Sequence, residues 1–109
     1  MKEILTLMEH HGNLANATSI ETDVVPCLGQ LEIRGLVHST QTITLKIAQG
    51  IADKLGVLEY IDETIIVIPA NTVQRIHENI YGKFLKARLE NNSVSIAVIK
   101  AFIGIPNAE

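Results

Sequence analysis

Ile65-Ile66-Val67-Ile68 is apolar at every position, bounded by Thr64 and closed by Pro69. A helix face or a half-buried strand would interrupt such a run with polar residues. An uninterrupted run predicts a central strand, buried on both faces. Proline ends it because it cannot donate to a ladder. The rest of the chain must supply apolar surface to cover that strand, and it does. Ile, Leu and Val number 35 of the 109 residues, whereas Trp is absent and Phe, Trp and Tyr together make 4%. That composition excludes disorder, and the length fits one domain with one core rather than a multi-domain enzyme. A mean hydropathy of +0.24 is high for a small monomer and predicts apolar surface buried between subunits.

Near the N-terminus, Ile4, Leu7, Met8 and His11 follow helical spacing and Gly12 supplies a stop, so a short amphipathic helix is expected there. Asn13–Asp23 reads as a polar linker, and Val24–Pro26 as extended chain before proline. Leu28–Val37 reads as the first core strand, with Leu31 and Ile33 opposed to Glu32 and Arg34. Residues 40–55 carry two patterns. Thr42–Ile47 alternates like a strand, but Ile43, Ile47, Ile51 and Leu55 form a longer stripe at i+4 spacing, which favours a helix ended by Gly56. Val57–Ile61 and Thr64–Ile68 read as two strands joined by a tight turn at Asp62 and Glu63. A second helix begins at Asn71 or Thr72, with Val73, Ile76, Ile80, Phe84 and Ala87 as its core stripe, and ends at Asn91-Asn92. Gly82 inside it costs about 1 kcal/mol against alanine. Val94, Ile96 and Val98 alternate with Ser93, Ser95 and Ala97 into a last strand running to Ile103.

The expected fold is therefore α+β: a split β-α-β-β-α-β mixed sheet with helices on one face. A short helix and linker (1–26) would precede that single domain (27–109). In the alternative, 40–49 and 83–90 are strands, and the chain forms a small β-barrel with one or two helices.

No motif carries catalysis. Glu9-His10-His11 is the densest set of metal-ligand types, but adjacent helical histidines point about 100° apart, and the i, i+4 pairing of helical metal sites is absent. Cys27 stands alone, without a basic neighbour to activate it. A single cysteine also excludes an intramolecular disulfide and a zinc–cysteine cluster. Asp62 and Glu63 are adjacent carboxylates and do not make an acid/base pair. Gly29, Gly35 and Gly50 form no phosphate-cradling loop. The expectation is a non-enzyme with no cofactor, no metal and no small-molecule substrate. No segment resembles a signal peptide, and stretches free of Asp, Glu, Lys and Arg, such as Gly35–Leu45 and Thr64–Gln74, are too short to span a membrane. A reducing, cytoplasmic setting without membrane partners is expected.

Charge is uneven. Residues 1–63 hold 4 basic and 9 acidic side chains, and residues 64–109 hold 5 and 3. Arg75, Lys83, Lys86, Arg88 and Lys100 are the candidate face for an anionic partner, RNA among them. With four aromatic residues in the chain, base stacking adds little to that face.

Leu28-Gly29-Gln30-Leu31-Glu32-Ile33-Arg34-Gly35-Leu36-Val37 resembles the opening strand of bacterial microcompartment shell proteins, which reads approximately LG-x-[IL]-E-x-RGLV. The resemblance covers about residues 27–107. It implies flat hexamers that tile into a shell, with a pore on the symmetry axis where Tyr60, Ile61, Asp62 and Glu63 would stand at the pore turn. The size and acidity also resemble PrgU-type small regulators of Gram-positive conjugative plasmids, which implies a PUA-like barrel and places Lys83, Lys86, Arg88 and Lys100 toward RNA. The leading expectation is a self-assembling structural or interaction domain, a homo-oligomer, with an RNA-binding regulator as the alternative.

Overall fold

Leu55 and Gly56 both adopt left-handed backbone, with φ of 55° and 80°, and reverse the chain in two residues. Such a turn matches the twist of antiparallel strands. The computed structural model describes residues 4–27, 29 and 32–106. Around the turn the described residues form nine strands: β1 (Ile4–Leu14), β2 (Thr18–Glu21), β3 (Val25–Pro26), β4 (Glu32–Ser39), β5 (Ile43–Lys54), β6 (Val57–Ile68), β7 (Val73–Asn79), β8 (Phe84–Asn91) and β9 (Ala97–Pro106). β5 pairs with β6, β4 with β7, β2 and β3 with β8, and β1 with β9, all antiparallel. In each pairing the two partners lie equally far from the Leu55–Gly56 turn, to within two residues. The domain is thus one long hairpin, folded on itself.

Two further pairings, β9 with β4 and β8 with β5, roll this hairpin up. Sheet A has the order β1-β9-β4-β7, and sheet B the order β2-β8-β5-β6 with β3 also on β8. Apart from β2–β3 and the β5–β6 hairpin, each connection crosses from one sheet to the other. This is the topology of a double-sheet jelly roll. Residues from the inner faces of both sheets share one core, including Ile33, Val37, Ile99 and Ile103 from sheet A and Leu45, Ile47, Leu85 and Leu89 from sheet B. The shortest dimension, 18 Å, suits two sheets packed about 10 Å apart. Asn91 is fully buried and pins one end of the sandwich. Its Nδ2 donates to Leu14 O and Ser95 O, each at 2.9 Å, and its Oδ1 accepts from Ser93 N at 3.1 Å.

The described residues contain no helix, so the α+β expectation is overturned, together with the helices of the barrel alternative. The reasons are local. Within β5, Ile43 and Ile47 satisfy both the i+4 and the period-2 patterns. Leu45 and Gln49, which only the strand pattern predicts, are buried, whereas Ile51 and Leu55 are exposed. The N-terminal helix is also replaced by a strand. In β1 the register shifts between Thr6 and Met8, and this bulge turns both Leu7 and Met8 inward, imitating helical spacing. Residues 1–26 are therefore no appendage where they are described, since β1, β2 and β3 all pair within the two sheets. The second helix becomes β7, a loop and β8. Gly82 lies in that loop because a Cβ there would sit 2.9 Å from Gly50 O.

Two smaller expectations are also corrected. Asp62 and Glu63 lie inside β6, opposite Gln49 and Ala48, rather than in a turn. β6 is an edge strand, and Ile65 and Val67 are exposed while Ile68 is buried, so the apolar run is covered on one face only. Of the first strand expected from Leu28, residues Leu28, Gln30 and Leu31 lie outside the described residues, and the strand is observed from Glu32. Among the described residues no helix is long and apolar enough to cross a membrane.

Candidate interaction surfaces

The outer face of sheet A is built from cross-strand rows. Glu9, Phe102, Leu36 and Arg75 make one row, and His11, Lys100, His38 and Val73 the next. Arg34 and His77 oppose each other in a third. Side chains directly opposite on one face lie about 5 Å apart, so this face carries three histidines and three cations around an apolar strip. Glu32 organises one corner. Arg34 Nη2 lies 2.7 Å from its Oε1, and His77 Nε2 lies 2.6 Å from its Oε2. The hydrogen bond from His77, with the Arg34 charge beside it, holds the Glu32 carboxyl below the usual carboxylate range. His11 Nε2 likewise sits 3.0 Å from Glu9 Oε2. Arg75 and Lys100, by contrast, have no acidic partner within 4.0 Å among the described residues.

On the outer face of sheet B the cations are paired. Lys46 Nζ and Arg88 Nε each lie 3.0 Å from a Glu90 oxygen, and Lys86 Nζ is 3.1 Å from Glu21. Of the five residues expected to form an anionic-partner face, Lys86 and Arg88 stand here and are paired. Arg75 and Lys100 stand on sheet A, and Lys83 lies in the β7–β8 loop. The structure does not bring the five to one face.

Beyond Gly50 and Ile61 the β5–β6 ladder skips Ile51 and Tyr60, then resumes at Ala52 and Glu59. Tyr60 takes a left-handed φ of 55°, and the distal hairpin bends there. Leu58 is buried and packs toward Gly50. A groove of about 200 Å³ runs between Val57, Leu58 and Ile61 of the hairpin and Lys46, Ala48 and Arg88 of the sheet. A second hollow of about 390 Å³ separates Asp53 and Gly56 from Thr22, Asp23 and Val24. The four residues expected at a pore turn therefore lie along a strand. Tyr60 and Ile61 are exposed apolar side chains, and Asp62 and Glu63 point to alternate faces.

The remaining candidates fall apart on placement. His10 and His11 alternate across β1, His10 inward and His11 outward. His10 Nε2 is buried and has no hydrogen-bond partner among the described residues. Among the described residues no three of His, Cys, Asp and Glu converge on a metal site. Cys27 is half-buried, and burial pushes its thiol up, away from a reactive thiolate.

Sequence reasoning missed the buried polar pair Gln49 and Asn91, and it missed the contrast between a face with unpaired cations and one whose cations are paired. Leu-Gly between two alternating runs was the available signal for the hairpin, because glycine at the second position suits a left-handed turn residue.

No family model and no curated protein matches this chain.

Proposed function

We propose that this chain is a non-catalytic, self-assembling interaction domain whose β5–β6 hairpin is the assembly element. The observation that carries the reading is where apolar surface is left uncovered. Of the fourteen large hydrophobic side chains exposed among the described residues, seven lie within the hairpin: Ile51, Leu55, Val57, Tyr60, Ile61, Ile65 and Val67. Exposed apolar surface concentrated on one element marks an interaction site. Covering an aliphatic side chain contributes about 1.5–3 kcal/mol, so burial of three or four offsets much of the entropy lost on association. The hairpin also places the twelve-residue β6 at a sheet edge, and an uncovered edge is a template for pairing. In the cytoplasm, where we place the protein, Cys27 would remain a reduced, inert thiol.

Sedimentation velocity across a wide concentration range tests this. Expected is a discrete species larger than one chain. A clean monomer at high concentration would end the proposal.

A further inference from the structure

From the charge pattern we infer what receives the hairpin: the outer face of sheet A on a second copy of this chain. The inference rests on self-assembly and names the contact.

Residues 51–63 hold four acids, Asp53, Glu59, Asp62 and Glu63, and one base, Lys54. None of those acids has a cationic partner within 4.0 Å among the described residues. The outer face of sheet A carries three cations, Arg34, Arg75 and Lys100, against two acids, Glu9 and Glu32. Arg75 and Lys100 have no acidic partner within 4.0 Å among the described residues; Arg75 stands opposite exposed Leu36, and Lys100 between Phe102 and exposed Val98 on β9. A hairpin with exposed aliphatic side chains and an excess of acids thus complements a face with exposed aliphatic side chains and two unpaired cations. Within one chain the two cannot meet, because the hairpin belongs to sheet B and the receiving face lies on the far side of the sandwich. Docking of like with like is disfavoured for both surfaces. Two hairpins would crowd acids together, and two copies of the sheet A face would crowd cations. Hairpin-to-face contact compensates both. Because donor and receiver are different surfaces, the contact is heterologous, and it closes into a ring or extends as a filament.

Charge reversal tests the contact directly. The samples are the wild-type chain, R75E/K100E, D62K/E63K and an equimolar mixture of the two variants. Each is run by sedimentation velocity at about 50 and about 500 mM NaCl, conditions that differ strongly in screening. The wild-type chain is expected to assemble and to loosen at high salt. Each variant alone should associate at least about tenfold more weakly, as like charges then face each other. The mixture should regain assembly. The intact hairpin of R75E/K100E fits the intact face of D62K/E63K, and the two reversed surfaces fit each other. If R75E/K100E assembles as the wild type does, this contact is wrong while self-assembly stands. A wild-type chain that is monomeric throughout overturns both. Polyuridine binding that R75E/K100E abolishes, with assembly unchanged, would assign the face to nucleic acid and overturn the contact. The four positions are exposed, and far-UV circular dichroism checks folding. Should reversal unfold the chain, R75A/K100A and D62N/E63Q replace the pair: weakened association in both is expected, and unchanged association in either overturns the contact.

Discussion

Gln49 and Gly82 are joined across 33 positions of sequence by a single hydrogen bond, in which Gln49 Oε1 accepts the Gly82 backbone N–H at 2.9 Å. The same oxygen accepts from Tyr81 N at 2.7 Å, and Gln49 Nε2 donates to Asn79 O at 2.9 Å. One buried amide therefore ties the β7–β8 loop to β5, at the point where Gly82 must lack a side chain to approach Gly50. Gln49→Leu keeps the volume but strands two donors and an acceptor. We expect a loss of about 2–3 kcal/mol in urea denaturation, since each buried unsatisfied group costs about 1–3 kcal/mol. Gln49→Glu preserves the acceptor and should cost less. Equal losses would show that packing, not hydrogen bonding, sets the role of this residue.

His10 is the opposite case, a buried polar atom with nothing to bond. In sheet A it stands beside Ala101, which in turn opposes Val37, and its Nε2 is sealed from solvent without a partner among the described residues. Leucine fills much of the same space without the desolvation penalty. His10→Leu should raise stability by about 1 kcal/mol, read as a higher urea midpoint with unchanged slope. A lower midpoint would mean that the imidazole has a partner in solution.

These two residues also show how much of the fold the sequence displayed. The alternation that makes β5 a strand was legible over Thr42–Ile47. A competing stripe hid it, because four is a multiple of two and nearly a helical turn, so Ile43 and Ile47 fit either period. Only the buried state of Leu45 and Gln49 decides between them, and burial belongs to tertiary structure. The bulge at Leu7 hid β1 in the same way. At Ile65–Ile68 the error runs in reverse. Uninterrupted apolarity predicted a central strand, but the outer side chains of β6 are exposed. An apolar residue facing solvent looks in sequence like one facing a core, and it is this surplus that marks the candidate interface. The charges of Arg75 and Lys100 were visible too. What was hidden is that Lys86 and Arg88 are neutralised by Glu21 and Glu90, and cross-strand pairing fixes that.

Glu32 gives a pH dependence with a defined sign. Its carboxyl is held below the usual range, first by the hydrogen bond from His77. A group with a depressed folded pKa stabilises the fold above its unfolded pKa. That contribution is lost as pH falls through the folded value. The His77–Glu32 link across β4 and β7 should therefore be complete at neutral pH and weaken only in acid, below the ordinary carboxylate range. Removing the imidazole with His77→Ala should move the Glu32 titration upward toward its ordinary value, as followed by carboxyl carbon chemical shifts. An unmoved titration would assign the depression to Arg34 alone.

Leu55 brings stability and assembly into opposition. It occupies a left-handed turn position, with φ of 55° and 95% of its surface exposed. A branched aliphatic residue there costs about 1–2 kcal/mol of backbone strain that asparagine largely avoids, and Asn-Gly is the favoured pair for such a turn. Leu55→Asn should therefore fold more stably, by about 0.5–1 kcal/mol after allowance for context. The same substitution removes the most exposed apolar side chain at the tip of the proposed docking element, so association should weaken. A variant with a higher urea midpoint and a weaker self-association constant is the expected result. If both properties rise together, or association is unchanged, the tip of the hairpin takes no part in the contact and the interface lies further along β6, toward Ile65 and Val67.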